Sequence, residues 1–137
     1  MAETVRRVEY FYVETEQKPG IGARLLGELK AAGVNLLAFS GFPSGRRAQI
    51  DFVPEDAQAF RAVARRAKWK LIGPKRAFLI AGDDRPGVVG DLMSRLAGAN
   101  INVTALDAVC AGSGRFGAIL WVAQRDVARA AKVLGAE

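Results

Sequence analysis

The sequence predicts an α+β protein made of two small antiparallel sheets, each with its helices on one face. One observation is the order of the predicted elements, which is βαββαβ in the first half and the same order without its last strand in the second. The other is a Pro-Gly cassette that occurs twice, 67 residues apart, each time with an Asn sixteen residues after the Pro. Because such a repeat corresponds to a small domain, we expect two modules, at residues 1–73 and 74–137.

The elements of the first half follow from alternation and helical periodicity. Val8, Tyr10 and Tyr12 alternate with their neighbours, which predicts a strand. The apolar residues of the next segment recur at every fourth position after Gly20, which predicts one buried helix face that ends at Gly33. The complete series is a strand at 5–14, a helix at 20–32, strands at 35–42 and 47–53, a helix opened by Pro54-Glu55-Asp56, and a strand at 69–72 ended by Gly73-Pro74.

The second half repeats this order but stops after its second helix. The predicted elements are a strand at 77–81, a helix at 87–99, strands at 101–110 and 115–122, and a helix at 126–134. The order predicts a ferredoxin-like sheet, in which the first strand lies between the third and the fourth. Without its last strand, the second module has an open edge along residues 77–81, and we expect the first half or a partner chain to close it.

Composition limits the class of protein. Half of the 137 residues are hydrophobic and a quarter are charged, which predicts a globular chain. The net charge of +6 allows an anionic partner such as nucleic acid, but the scattered basic residues favour a basic, soluble surface. A single cysteine, the absence of an apolar leader and the absence of a membrane-length apolar run predict a cytoplasmic protein without disulfides.

The sequence predicts no enzyme, metal site or cofactor. There is no histidine, which excludes Ser-His-Asp and Cys-His arrangements and any metal site that needs a histidine ligand. Cys110 ends an apolar strand and is interpreted as a small core or edge residue. The adjacent Asp83 and Asp84 lack a second acid group that would complete an acid/base pair.

The repeated cassette offers groups that suit a small anion. The first turn of a helix carries unpaired backbone N–H groups and about half a positive charge. A glycine there lets a ligand approach the backbone, because it has no Cβ atom. The candidate carboxylate or phosphate seats are the N–H groups of Gly20, Ile21 and Gly22 and those of Gly87, Val88 and Val89.

Polar side chains flank each seat. Asp84 precedes the second one and is a candidate ammonium acceptor, and Gln17 holds the matching place in the first. Asn35 and Asn102 offer both a donor and an acceptor. Together these groups predict a site for a free α-amino acid. Because a helix end contributes only about 1 kcal/mol and micromolar binding needs about 8 kcal/mol, the ligand must also be enclosed, for example between two modules.

The cassettes resemble a known family. The second copy runs Asp84-Arg85-Pro86-Gly87-Val88-Val89 and later Asn100-Ile101-Asn102, which is similar to the ACT domain, a small-molecule regulatory module of amino-acid biosynthetic enzymes. The resemblance covers nearly the whole chain, as in small bacterial proteins of two such modules. It implies side-by-side pairing of modules and amino acids bound where the loop after the first strand meets a neighbour. The implied contacts are Asp84, Gly87 to Val89 and Asn102, and in the first copy Gln17, Gly20 to Gly22 and Asn35.

Two alternatives remain open at this stage. An RNA-binding module has the same βαββαβ order, but Arg115 and Ala118 replace its expected glycine and central aromatic residue. A ligand-free interaction module is the other, in which each Pro-Gly is only a turn. The favoured prediction is a homodimeric, cytoplasmic sensor or regulatory subunit that binds a free amino acid or similar small molecule and acts on a separate enzyme or transporter. If only one site is occupied, we expect it near Asp84 and Asn102.

Overall fold

A computed structural model describes residues 3–137, and this part of the chain contains six strands and four α-helices. The strand order in the sheet is β2-β3-β1-β4-β6-β5. The predicted α+β class with antiparallel strands and a ferredoxin-like element order is confirmed. In chain order the elements are β1 (Thr4–Glu16), α1 (Ile21–Ala31), β2 (Leu36–Ser44), β3 (Arg47–Pro54), α2 (Ala57–Arg66), β4 (Ile72–Asp83), α3 (Val88–Gly98), β5 (Val103–Gly112), β6 (Arg115–Val122) and α4 (Val127–Leu134).

The chain divides into two compact units. The first unit is Glu9–Lys75, and the second unit joins the described residues up to Val8 to Arg76–Glu137. These bounds differ from the expected modules at 1–73 and 74–137 chiefly because the start of β1 belongs with the second unit.

The core of the first unit is aromatic. Phe52 on β3 pairs with Phe11 on β1 and with Phe39 on β2. Phe11 and Phe52 are fully buried against Phe60 of α2, and each of their ring centroids lies 5.2 Å from that of Phe60. The inward stripe of α1 completes this core, as its periodicity predicts, with Ile21, Leu25 and Leu29.

The core of the second unit is mainly aliphatic. In its centre β6 pairs with β4 on one side and with β5 on the other. Leu120 of β6 is fully buried, and so are Leu96 of α3 and Ala130 of α4. The helices of this unit therefore cover one face of their strands, as the sequence predicts.

One element boundary was predicted wrongly. Of the expected strand at 69–72, only Ile72 lies in a strand, and that strand, β4, passes through Gly73-Pro74 and includes the expected strand at 77–81. Gly73 has a φ of 126°, and a Cβ atom there would lie 2.8 Å from the carbonyl oxygen of Tyr10, so only glycine fits. Pro74 precedes the part of β4 that pairs with β6, which begins at Phe78, so its missing N–H removes no hydrogen bond to β6.

The start of β1 closes the edge that the second half leaves open. Residues 4–8 belong to the second unit, and β1 neighbours β4 in the sheet. Val5 is 3% exposed and lies in the core of that unit. The backbone N–H of Glu137 donates to the carbonyl of Val5 at 3.1 Å, and that of Arg7 donates to the carbonyl of Glu137 at 3.3 Å. The first half of the chain therefore closes this edge, which is one of the two possibilities expected from the sequence.

Across residues 3–137, none of the helices combines the length and the apolar character that crossing a membrane would require.

Candidate functional site

The two Pro-Gly cassettes adopt the same backbone conformation. Gly20 and Gly87 are the residues before α1 and α3, with φ of 91° and 83°. Their carbonyls accept from the N–H of Arg24 at 3.0 Å and of Asp91 at 2.9 Å. A side chain is disfavoured at such positive φ values, which explains both glycines. The first N–H groups of a helix have no partner within the helix, so a ligand can accept a hydrogen bond from those that the turn leaves free.

Gln17 ties the first cassette to a neighbouring hairpin. Its side-chain nitrogen donates to the carbonyl of Gly45 at 3.1 Å and to that of Arg47 at 2.7 Å. Gly45 lies in the turn between β2 and β3, and Arg47 is the first residue of β3. Because the nitrogen is used twice, the carbonyl oxygen of Gln17 is the atom left to meet a ligand.

A cavity of about 520 Å³ lies beside this cassette, wholly within the first unit. Its walls are the loop from Thr15 to Pro19, the start of α1, the outer strand β2 and the adjoining part of β3. Its volume falls in the range of small-molecule sites. The predicted residues Gln17, Ile21 and Gly22 contribute to the wall, and Gly20 lies in the same turn.

The cavity wall has little net charge. Its charged residues are Glu16 and Lys18, whose side chains form an exposed ion pair at 3.5 Å. The remaining wall residues are neutral, and most are apolar. This composition favours a ligand without net charge.

The second cassette has the same turn but more side chains around it. Val89 stands where the first copy has Gly22, and it is half-buried against the core of the second unit. Val88 is 4% exposed, and its backbone N–H donates to the carbonyl of Arg85 at 3.3 Å. One of the three predicted N–H donors is therefore already engaged.

Asp84 is exposed and has a partner inside the second unit. Its backbone N–H donates to the carbonyl of Gly114 at 2.8 Å. A hydrogen bond from the exposed thiol of Cys110 to Asp84 raises the pKa of that thiol. Cys110 lies on the outer strand β5, so it is an edge residue rather than a core residue.

The strand register separates each Asn from its cassette. Gln17 lies at the Arg47 end of β3, whereas Asn35 precedes Leu36, which pairs with Pro54 at the other end. The eight residues of β3 place the two ends about 20 Å apart. Asn35 therefore does not lie beside the Gln17 loop of its own unit, and its role as a ligand contact stays a prediction.

The same geometry holds in the second unit. Asp83 pairs with Arg115 at one end of β6, whereas Val103, which follows Asn102, pairs with Val122 at the other. Asp84 and Asn102 thus lie at opposite ends of the unit. The reason is common to both copies. The helix after the first strand brings the chain back to the end at which that strand began. The second strand, parallel to the first, therefore starts at the end opposite the cassette.

Sequence reasoning missed the wall that β2 supplies. Phe39 and Pro43 line the cavity, and neither was predicted as a site residue. One indication was present in the sequence, because the nine residues of β2 carry no charge although β2 is an edge strand. Edge strands of natural proteins usually carry charges that prevent unwanted pairing.

The two aromatic residues of β6, Phe116 and Trp121, are both buried and offer no exposed ring for RNA stacking. Phe116 is 4% exposed and lies in the core of the second unit beneath the helices. Stacking on bases requires an exposed ring.

The chain matches no protein-family model and no curated protein sequence. Solved structures share its fold. A Bacteroides thetaiotaomicron protein is 12% identical with a TM-score of 0.80, over 97% of this chain and 88% of that one. The ligand-free regulatory subunit of aspartate kinase from Thermus thermophilus is 16% identical with a TM-score of 0.63, over 98% and 95%. The Clostridium acetobutylicum aspartate kinase is 19% identical with a TM-score of 0.54, over 96% of this chain and 33% of the kinase.

Proposed function

We propose that this protein is a small-molecule-binding regulatory protein of two tandem ACT-like modules, and that it holds a free amino acid in the cavity of the first unit. The observation that carries the proposal is that cavity, because the first Pro-Gly cassette forms one of its walls. The fold shared with a regulatory subunit of aspartate kinase supports a regulatory role without catalysis.

In this proposal the backbone of the first cassette binds the α-carboxylate. The N–H groups of Ile21 and Gly22 begin α1, where the helix dipole favours an anion. The carbonyl oxygen of Gln17 accepts from the ammonium group. The loop on one side and β2 on the other supply walls that the helix end alone lacks.

The site therefore lies at the first cassette rather than near Asp84 and Asn102. Gly22 leaves space where Val89 fills it in the second unit. The second unit has matching positions, which we do not expect to bind the ligand: Asp84, Gly87, Val88 and Val89.

The regulatory step is a population shift. A bound amino acid orders the loop that Gln17 connects to the β2–β3 turn, and β2 is an outer strand of the sheet. A change at this edge reaches a second copy of the chain in a homodimer, or a separate enzyme or transporter. The ligand shifts the equilibrium only by its difference in affinity for the two states.

The test is thermal unfolding against a panel of free amino acids, with single-stranded RNA as a comparison. A ligand at 100 times its Kd stabilises the folded state by about 2.7 kcal/mol, which raises the Tm by about 5 °C or more. A rise with one amino acid or a small group of them supports the proposal. A rise with RNA alone favours the RNA-binding alternative, and no rise at all favours a ligand-free interaction module.

A further inference from the structure

We infer that the cavity of the first unit selects an amino acid with an aromatic or bulky aliphatic side chain. This inference rests on the proposed function and adds the chemical class of the ligand.

The outer strand β2 presents apolar side chains at the cavity. Phe39 is 44% exposed and contributes to the wall. Pro43 lies on the same face of β2 as Phe39 and also lines the cavity. A cluster of exposed apolar groups on a concave surface marks a binding site more often than an arbitrary surface patch does. A ligand with an apolar side chain removes this area from water, and a polar one does not.

Phe39 is held in place by the core behind it. Its ring meets the ring of Phe52 edge-on, with centroids 5.6 Å apart, and Phe52 is fully buried. A ring that is fixed before binding loses little conformational entropy when the ligand arrives. Its exposed part therefore offers a rigid apolar surface, which suits an aromatic ring or a branched aliphatic chain.

The wall offers no partner for a charged ligand side chain. Among the described residues that form it, Glu16 and Lys18 carry charge, and they already pair with each other. A lysine-like or aspartate-like side chain entering the cavity would lose water without gaining a dedicated counter-charge. The composition therefore disfavours both kinds of ligand.

Small residues leave the space that such a side chain needs. Gly22 on α1 and Gly41 on β2 both line the cavity. A Cβ atom at Gly22 would meet nothing within 4 Å, so this part of the wall is open. The cavity of about 520 Å³ thus accommodates an aromatic amino acid.

Titration calorimetry with four amino acids tests the inference: L-phenylalanine, L-leucine, L-alanine and L-lysine, each with the unmodified full chain. We expect phenylalanine and leucine to bind at least about tenfold more tightly than alanine, because their side chains are buried against Phe39. Phe39→Ala should weaken phenylalanine binding by about the same factor and leave alanine binding nearly unchanged. Val109→Ala is the matched control, since Val109 is 68% exposed on the other outer strand and lies in the second unit.

Two results would overturn the inference. If alanine or lysine binds as tightly as phenylalanine, the selectivity is wrong while the proposed amino-acid site stands. If none of the four binds, the selectivity is also wrong, and the wider amino-acid panel then decides the proposed function separately. Should Phe39→Ala fail to fold, Phe39→Leu replaces it, and the comparison of ligands on the unmodified chain needs no variant.

Discussion

The side-chain nitrogen of Gln17 lies 2.7 Å from the carbonyl oxygen of Arg47 and so fastens the loop before α1 to the β2–β3 turn. Gln17→Ala removes this bond and the second one to Gly45. We expect a loss of about 1 kcal/mol in the free energy of unfolding, because both bonds are exposed. Urea unfolding measures it, and Lys18→Ala in the same loop is the control. Equal stability of Gln17→Ala and the control would show that the loop is held by other contacts.

The first strand should stabilise the second unit through Val5. Val5→Ala leaves a cavity among Phe78, Ile80 and their neighbours, and we expect it to cost about 2 kcal/mol. Thr4→Ala, next to it and exposed, should change stability by less than about 0.5 kcal/mol. Hydrogen exchange locates the effect: β6 should lose protection in Val5→Ala. Unchanged stability in Val5→Ala would contradict the placement of β1 in that core.

Asp51 makes stability depend on pH in an unusual direction. It is 5% exposed, and burial raises its pKa above the ordinary value of 3.8, against the opposing effects of the Gln49 hydrogen bond and the charge of Lys75. A raised carboxyl pKa means that the folded state holds this proton more tightly than the unfolded state does. Its contribution to stability is therefore fully present below pH 3.8 and is lost as the pH rises through the folded-state pKa.

Asp51→Asn keeps the shape of the side chain and removes the charge. We expect this variant to gain stability relative to the unmodified protein as the pH rises from about 4 to 7. Urea unfolding at several pH values measures the difference. If the difference in stability between the two proteins stays constant or narrows with rising pH, the raised pKa of the buried Asp51 is contradicted.

The contact between Cys110 and Asp84 should control thiol reactivity. The hydrogen bond to Asp84 raises the pKa of Cys110, which lowers the fraction of reactive thiolate at neutral pH. We expect Asp84→Ala to speed alkylation of this single cysteine severalfold near pH 7.5. Iodoacetamide labelling followed by mass spectrometry measures the rate, and Asp107→Ala on the same strand is the control. Equal rates in the two variants would show that the thiol does not sense Asp84.

Local patterns predict most of the elements in this fold. The stripe of Ile21, Leu25 and Leu29 gives α1, and Asp56 caps α2 by accepting from the N–H of Ala59 at 3.1 Å, as a helix start at Pro54-Glu55-Asp56 implies. Gly73-Pro74 misleads because such a pair usually ends a strand, whereas here a close contact with Tyr10 selects the glycine.

Long-range relationships leave little trace in the sequence. Val5 resembles any strand residue, and nothing near it reveals that it packs with residues more than seventy positions away. The two cassettes are visible in the sequence as a repeat. The proposed difference in ligand binding between them depends on Gly22 in the first copy where the second has Val89, and on the wall that β2 supplies. The positions of Asn35 and Asn102 follow from the register, which the repeat does not encode.

The central claim is that a free amino acid binds beside Gly22, and Gly22→Val tests it most directly. Valine there should project into the space beside the helix start where the ligand would lie, and it suits a helix at least as well as glycine does. Gly27→Val is the matched control, because Gly27 lies on the same helix with nothing within 4 Å of its Cβ position and outside the cavity wall. Calorimetry with the amino acid that raises the Tm most should show binding lost in Gly22→Val and kept in Gly27→Val. Undiminished binding in a folded Gly22→Val would contradict the account.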